Sequence, residues 1–342
     1  MDNLKLILSK LGIGIALIVM IIGMSFASDA FLSANNIINI LLQVSVICII
    51  AVGMTYVILT GGIDLSVGSI VALSAVCLGL FTHAGIRWLG EDASDFAVLV
   101  VVLLSILGCV LVGALCGYVN GIIIVYGKVT SFIATLGMMG IARGLALTLS
   151  DGKTIYNFPD ALRFLGNGRI LVSDSFSIPV PVIIAILVVL VSFYVLTQTI
   201  FGRQIYALGG NREAVRLSGV NVDKLEVKTY VINGALAAVG AVILVGRLNA
   251  AQPIAGTGYE LDAIAATVIG GTSLIGGFGS VIGTSVGALI MGVLQNGLTL
   301  LDVTSYLQRL IIGVVIILAV FLDQVRRGKV SIGRLKRIFF RE

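Results

Sequence analysis

The chain has 342 residues, of which 58% are hydrophobic and 11% are charged, and its mean hydropathy is +1.13. Because soluble domains carry about 25% charged residues, this composition excludes a soluble globular enzyme and indicates a protein of the bilayer. The net charge of +5 does not indicate nucleic-acid binding, because the basic residues lack the interleaved aromatic side chains that stack on bases.

Long apolar runs predict an all-α fold, namely a polytopic membrane helical bundle of about ten transmembrane helices. A helix needs about 20 apolar residues to span hydrocarbon, and lipid does not tolerate unpaired backbone groups. Residues 1–27 share features with a signal peptide, but the many later spans favour an uncleaved first helix. The predicted spans are 11–27, 37–60, 64–82, 97–125, 130–149, 178–199, 227–247, 260–277, 279–300 and 306–323.

The distribution of charge predicts that both termini lie in the cytoplasm, where positive charge is retained. Lys5 and Lys10 precede the first span, and the loop 201–226 also carries several basic residues. The loops 83–96 and 150–177 then fall outside. A basic tail completes the pattern, with Arg326, Arg327, Lys329, Arg334, Lys336, Arg337 and Arg341.

A polar break, Thr60 to Gly68, separates the second and third spans and contains Asp64. A carboxylate in mid-bilayer costs about 2.5–3.5 kcal/mol. One interpretation is that Asp64 caps the third helix by accepting N–H bonds near Ser66 and Val67. The alternative is a role of Asp64 and Ser66 in gating or in the substrate path.

Two tetrapeptides recur at an offset of 174 residues. Val112–Leu115 recurs as Val286–Leu289, and the sequence Val-Thr-Ser-aromatic recurs at 129–132 and 303–306. In the predicted topology the two copies run in opposite directions. They therefore predict an inverted internal repeat, with halves of roughly 37–150 and 227–323, as in transporters that place a site near the midplane.

The segment 201–222 is a polar, basic island in this apolar chain. Asn211 is a candidate N-cap, 212–217 a short helix, and Gly219 its stop signal. Because so short a helix is not stable alone in water, we expect it to dock on a partner.

Glycines crowd the segment 270–277, which predicts a broken helix or close backbone contact. One of the two spans around this segment is a candidate re-entrant segment. An eight-span bundle with two re-entrant segments would also satisfy the charge pattern of the loops. Asn120, Gln295 and Asn296 are polar groups in otherwise apolar spans. They are interpreted either as inter-helix hydrogen-bonding groups or as residues that line the path of a polyol.

No catalytic motif is complete. Gly152-Lys153-Thr154 ends like a phosphate-binding loop, but Leu147 occupies the position of the required first glycine. The single histidine excludes a paired-histidine zinc motif, and the four cysteines lie in apolar runs as core residues. The chain is therefore predicted to be no enzyme and to bind no metal.

Four segments resemble the permeases of bacterial ribose-type (monosaccharide) ABC importers, a family of binding-protein-dependent inner-membrane transport proteins. The resemblance extends from about residue 35 to 325, and Glu213-Ala214-Val215 followed by Gly219 is similar to the family's E-A-A-x-x-x-G loop, with valine in place of an alanine. The segments are GGIDLSVGSIVALSA (61–75), FGRQIYALGGNREAVRLSGVNV (201–222), YELDAIAATVIGGTSLIGGFGSVIGT (259–284) and LQNGLTLLDV (294–303).

The resemblance implies a single permease domain, residues 1–342, that moves a ribose-like sugar or a small polyol across the bacterial inner membrane by alternating access. It implies ATPase subunits on the inner face, a periplasmic or lipid-anchored binding protein outside, and a second permease subunit. ATP and Mg²⁺ would bind the ATPase, so no cofactor is expected in this chain. The ATPase-coupling loop maps onto Gly210, Asn211, Arg212, Glu213, Ala214, Arg216 and Gly219.

Other functions remain open at this point. An ion-coupled secondary transporter is disfavoured, because ion coupling usually uses a membrane-embedded acid or histidine and the acids here lie at predicted helix ends. A permease for a nucleoside or an autoinducer sugar is a further alternative. A structural or assembly protein is disfavoured by the inverted repeat.

Overall fold

The computed structural model describes residues 2–90, 92–173 and 176–326. Most of these residues are helical. Short strands form two antiparallel pairs, Ile155–Tyr156 with Ala250–Ala251 and Arg169–Ser173 with Phe176–Pro179. The elements are α1 Asp2–Ala27, α2 Ala34–Leu59, α3 Val67–Leu89, α4 Asp95–Val125, α5 Ser131–Leu149, β1 Ile155–Tyr156, α6 Asp160–Asn167, β2 Arg169–Ser173, β3 Phe176–Pro179, α7 Val180–Gln198, α8 Ile200–Gly210, α9 Arg212–Leu217, α10 Val222–Leu248, β4 Ala250–Ala251, α11 Tyr259–Ile269, α12 Val281–Leu300 and α13 Ser305–Arg326.

Seven helices in the described part of the chain are long and apolar enough to cross a membrane. They are α2, α3, α4, α5, α7, α10 and α12, and shorter apolar stretches occupy Gly12–Ala27 of α1 and Ser305–Leu318 of α13. The predicted all-α, multi-pass class is thus confirmed, whereas the count of ten spans is not. Of the predicted basic tail, residues 327–342 lie outside the described residues, as does Glu91 of the predicted outer loop 83–96.

The predicted span 260–277 is wrong as a single helix. It begins as α11, which has 11 residues and ends at Ile269. Gly271, Gly276 and Gly277 then have φ values of +88°, +93° and +73°, in the left-handed region that stops a helix. The chain resumes helical geometry only at Val281, where Ser280 caps α12 by accepting a hydrogen bond from the Gly283 amide at 3.0 Å.

The core of the bundle lies along α2 and α10. Almost every residue of α2 from Val44 to Leu59 is buried, and α4 packs closely on α10. A methyl group at Gly113 or Gly117 of α4 would overlap the carbonyl oxygens of Gly234 or Tyr230 of α10. These glycines therefore allow the two backbones to touch, as small residues do at membrane helix interfaces.

The breaks after α2 and after α11 share one local conformation. Gly61 has φ +84° and Gly271 has φ +88°. In each break the following amide, Gly62 or Thr272, donates to a carbonyl five residues earlier at 3.1 Å. This is the Schellman ending of a helix, and it leads into a second helix, α3 or α12.

The repeated tetrapeptides also share a local path. Lys128 and Asp302, which are 174 positions apart, both have positive φ, at 56° and 53°. α5 then begins at Ser131 and α13 at Ser305, so each copy forms a helix, a left-handed turn and a second helix. The inverted relation of the two halves stays a prediction.

Candidate functional site

The segment 200–219 forms two helices that meet at Asn211. The side-chain oxygen of Asn211 accepts a hydrogen bond from the Ala214 amide at 3.0 Å and so caps α9. Gly219, with φ +84°, follows the end of α9. The predicted cap, short helix and glycine stop are therefore confirmed. The interpretation of Gly209-Gly210 as a turn before the cap is wrong, because both residues belong to α8.

One face of α9 is anchored in the protein and the opposite face is exposed. Val215 is buried and belongs to the hydrophobic core. Glu213 and Ala214 are exposed, as is Leu217, at 80%. The position at which this chain departs from the E-A-A pattern thus points inward, so the valine leaves the exposed face unchanged.

Ion pairs attach α9 to the start of α10. Arg212 lies 2.6 Å from the Glu226 carboxylate and 3.7 Å from that of Asp223. The Glu226 side chain is only 10% exposed, so its pair with Arg212 is better shielded from water than an ordinary surface pair. Arg212 is therefore engaged within the protein, while Arg216 pairs with the exposed Glu213 at 3.0 Å.

A glycine-lined junction joins the end of α8 to the breaks after α2 and α11. A methyl group at Gly209 would overlap both the Leu59 carbonyl oxygen and the Gly277 amide. The Gly277 amide itself donates to the Leu59 carbonyl at 2.9 Å. The sequence interpretation placed Gly209 in a turn and gave it no functional contact, although the Gly209-Gly210 pair was the available signal.

Tyr206 adds a second contact between α8 and the break before α12. Its hydroxyl donates a hydrogen bond to the Gly279 carbonyl at 3.0 Å. Burial, and to a smaller extent the nearby Tyr56, raises the pKa of Tyr206, so the hydroxyl stays protonated and remains a donor. This hydrogen bond thus joins α8 to the segment between α11 and α12.

Asp64, Ser66 and Asn120 lie together in one fully buried cluster. The Asp64 carboxylate accepts hydrogen bonds from the Ser66 amide at 2.8 Å and from the Ser66 hydroxyl at 2.5 Å. Asn233 of α10, which sequence reasoning missed, donates to the other carboxylate oxygen at 2.8 Å, and Asn120 donates to the Ser66 hydroxyl at 2.9 Å. All four residues are 0% exposed, so in this conformation they line no aqueous path.

The predicted N–H bond to Asp64 is confirmed at Ser66. The interpretation of Asp64 as the cap of α3 is wrong, because Ser66 is the N-cap residue and no side chain accepts a capping bond there. Among residues 2–90, 92–173 and 176–326, no lysine or arginine forms a salt bridge with Asp64. Three hydrogen bonds therefore stabilise the buried carboxylate, as burial of such a group requires. The cluster holds the α2–α3 break against α4 and α10.

Gln295 and Asn296 lie elsewhere, against the first half of α2. Asn296 and Asn36 exchange hydrogen bonds of 2.8 and 3.0 Å. Gln43 donates to Gln295 at 3.4 Å, and Asp262 of α11 lies near Gln295. Because α2 rises about 1.5 Å per residue, this group is roughly 24–35 Å from the α2–α3 break. The five residues predicted for the substrate path thus form two separate groups.

The comparisons with known proteins agree on one family. A family model described as "Branched-chain amino acid transport system / permease component" matches residues 36–320. The chain is 46% identical over 313 residues to "Ribose import permease protein RbsC" of Escherichia coli (strain K12), which covers 90% of this chain and 92% of that protein. No solved structure matches.

Two further relatives extend the similarity. "Ribose import permease protein RbsC" of Bacillus subtilis (strain 168) is 45% identical over 320 residues, 93% of this chain and 94% of that protein. "D-allose transport system permease protein AlsC" of Escherichia coli (strain K12) is 39% identical over 311 residues, 91% of this chain and 89% of that protein. The resemblance to ribose-type permeases is confirmed, and the chain belongs to the family of branched-chain amino acid transport system / permease components.

Proposed function

We propose that this chain is the membrane permease of an ATP-driven importer that carries a monosaccharide into a bacterial cell. The similarity to ribose and D-allose permeases, at 39–46% identity, supports the substrate class. The proposed coupling to the ATPase rests on the two faces of α9. One face is anchored through Val215 and Arg212, and the other leaves Glu213, Ala214 and Leu217 exposed.

In this proposal the exposed face of α9 binds the partner ATPase. A helix of six residues is stabilised mainly by contacts to the rest of the protein. Here the Arg212–Glu226 pair and the buried Val215 supply those contacts. A push on α9 therefore moves α10 as well as α8, rather than bending α9 alone.

The movement then reaches the membrane through two routes. α8 presses on the breaks after α2 and α11 through Gly209 and Tyr206. α10 carries Asn233, which holds Asp64 in the α2–α3 break. Alternating access would follow from displacement of these breaks, with the Asp64 cluster as a gating element rather than a lining of the sugar path.

The sugar path itself is assigned to the half-buried polar group around Gln295. Gln43, Asp262, Gln295 and Asn296 offer amide and carboxylate groups on α2, α11 and α12. Such groups donate and accept hydrogen bonds to the hydroxyl groups of a sugar.

The remaining parts of the machine belong to partner chains. A binding protein delivers the sugar at the outer face, a second permease subunit completes the pathway, and ATP with Mg²⁺ binds the ATPase subunits at the inner face. Both termini of this chain lie on the cytoplasmic side of the inner membrane, in keeping with the positive charge of the inner loops.

Reconstitution tests this function. The purified chain is placed in vesicles with its candidate ATPase and binding protein, and sugar uptake and ATP hydrolysis are measured together. We expect sugar-loaded binding protein to stimulate hydrolysis and ATP to drive uptake. Uptake that an ion gradient drives in the absence of the ATPase would overturn the proposal and favour a secondary transporter.

A further inference from the structure

A cavity of about 690 Å³ lies between α1, α7, α8 and α12. Its walls are mostly apolar, with Ile13 from α1, Phe193 from α7, and Ile282 and Val286 from α12. Ile282 is 52% exposed, so this wall is continuous with the outer surface of the bundle. Hydrocarbon from the surrounding bilayer can therefore contact it.

Arg203 brings a positive charge to this apolar cavity. Among the described residues that line the cavity, Arg203 is the one that carries a charge. Its side chain is exposed, and within the part of the chain that the structure describes its guanidinium has no salt bridge and no hydrogen-bond partner. An unpaired guanidinium can bind the phosphate of a phospholipid, and the apolar walls beside it can contact an acyl chain.

We propose that this cavity binds an anionic phospholipid, with a phosphate on Arg203 and an acyl chain along the wall formed by Phe193, Ile282 and Val286. The planar guanidinium matches phosphate geometry with two hydrogen bonds. Basic pockets between membrane helices on the cytoplasmic side bind anionic headgroups, and Arg203 lies in the segment assigned to that side. A small soluble anion would leave the apolar walls uncovered, so a lipid is the better match.

The lipid would contact the same elements that transmit movement from α9. Tyr206 lines the cavity together with Gly279, whose carbonyl accepts its hydrogen bond. A bound acyl chain would therefore pack against α8 and against the segment between α11 and α12. This site depends on the bilayer location and not on the identity of the sugar, so its test is separate from that of the transport proposal.

Native mass spectrometry of the delipidated protein tests the site directly. Phosphatidylglycerol or phosphatidylcholine with identical acyl chains is added back to the wild type, and retained lipid is counted. We expect about fivefold stronger retention of phosphatidylglycerol, the factor for about 1 kcal/mol from one basic side chain at an anionic surface. Equal retention of the two lipids by the wild type would overturn the proposal without any variant.

Variants then locate the site. R203Q should lose the preference for phosphatidylglycerol, R203K should keep most of it, and K224Q should be unchanged. Lys224 is the matched control, because it is an exposed basic residue of the same segment that does not line the cavity. I282W, which fills the apolar wall, should weaken retention of both lipids.

Two results would contradict the lipid assignment. If R203Q and K224Q retain phosphatidylglycerol equally, Arg203 is not the headgroup contact. If inorganic phosphate displaces the lipid from the wild type, the cavity serves a soluble anion instead.

Discussion

Several buried polar side chains in this protein are hydrogen-bonded to partners far away in the sequence. Asp64 is held by Asn233, 169 residues later, and Asn36 pairs with Asn296, 260 residues later. In a protein interior each unsatisfied donor or acceptor costs about 1–3 kcal/mol. These pairs therefore determine which helices lie side by side, and the Asp64 cluster stabilises the break between α2 and α3.

Substitution of Asp64 tests the cluster at the level of stability. D64A leaves the Ser66 amide, the Ser66 hydroxyl and the Asn233 amide without their acceptor. We expect the free energy of unfolding to fall by about 3 kcal/mol or more, from three lost hydrogen bonds. This loss should appear as a lower thermal unfolding midpoint of the purified protein in detergent. We expect D64N to lower the midpoint less than D64A.

The matched control is D160A, because the Asp160 side chain is 94% exposed and pairs only with the exposed Arg163 among the described residues. Its midpoint should stay at that of the wild type. If D64A and D160A unfold alike, the cluster does not stabilise the break.

At the scale of elements, the segment of α8 and α9 combines an exposed face with firm attachment to the bundle. Its predicted parts, Asn211, the short helix and Gly219, follow local rules of capping and helix termination, which is why sequence reasoning found them. Gly209 and Glu226 were missed, because their roles depend on the Leu59 carbonyl, the Gly277 amide and the Arg212 side chain. Those neighbours are brought together only by the packing of α2, α10 and α11.

Two adjacent glycines provide a test of the junction. G209A should overlap the backbones of Leu59 and Gly277, whereas a methyl at Gly210 meets no heavy atom of the described chain within 4 Å. We expect G209A to lower sugar-stimulated ATP hydrolysis in the reconstituted complex by about tenfold, a typical coupling free energy. The resemblance places Gly210 in the coupling loop, but the structure gives a methyl group there no contact, so G210A should stay within about twofold of the wild type, as surface substitutions do.

Binding of the ATPase distinguishes coupling from docking in these variants. Since neither glycine lies on the exposed face of α9, both variants should bind the ATPase like the wild type. A G209A protein that is fully coupled would show that contact at the junction is not needed for transmission.

Charge reversal on α9 tests the docking face. The Glu213 side chain is 62% exposed, so E213R should leave the fold intact. We expect it to weaken binding of the ATPase by at least about tenfold, as for reversal of a charge at an interface, and pull-down with the purified ATPase measures this. D160R is the control, a reversal at an exposed acid on the predicted outer face. Equal binding of the ATPase by both variants would contradict the role of Glu213.

At the scale of the whole molecule, the apolar helices and the charged loops define how the chain crosses the bilayer. Seven described helices qualify as spans, whereas α11, with 11 residues, is too short to cross the bilayer alone. The orientation assigned from positive charge places 150–177 outside and 200–226 inside. The proposed lipid site, the proposed ATPase-binding face and the proposed sugar path all depend on this orientation.

Accessibility of single cysteines to a membrane-impermeant maleimide tests the orientation in intact spheroplasts. D160C should be labelled from outside, and L217C only after permeabilisation, because both positions are exposed but on opposite sides. The wild type is the control for background, since its four cysteines are buried. Labelling of L217C in intact spheroplasts would reverse the assigned topology.

The sequence by itself determined the membrane class, the helix-rich fold, the local form of the 201–222 segment and the family resemblance. These depend on composition, on runs of apolar residues and on short-range capping, all of which a linear chain displays. Only the tertiary structure decided that the helix in 260–277 ends at Ile269, that Val215 points inward, and that Asp64 and Gln295 belong to separate groups. The reason is that backbone contact at glycines and the pairing of buried polar groups arise only when distant helices pack together.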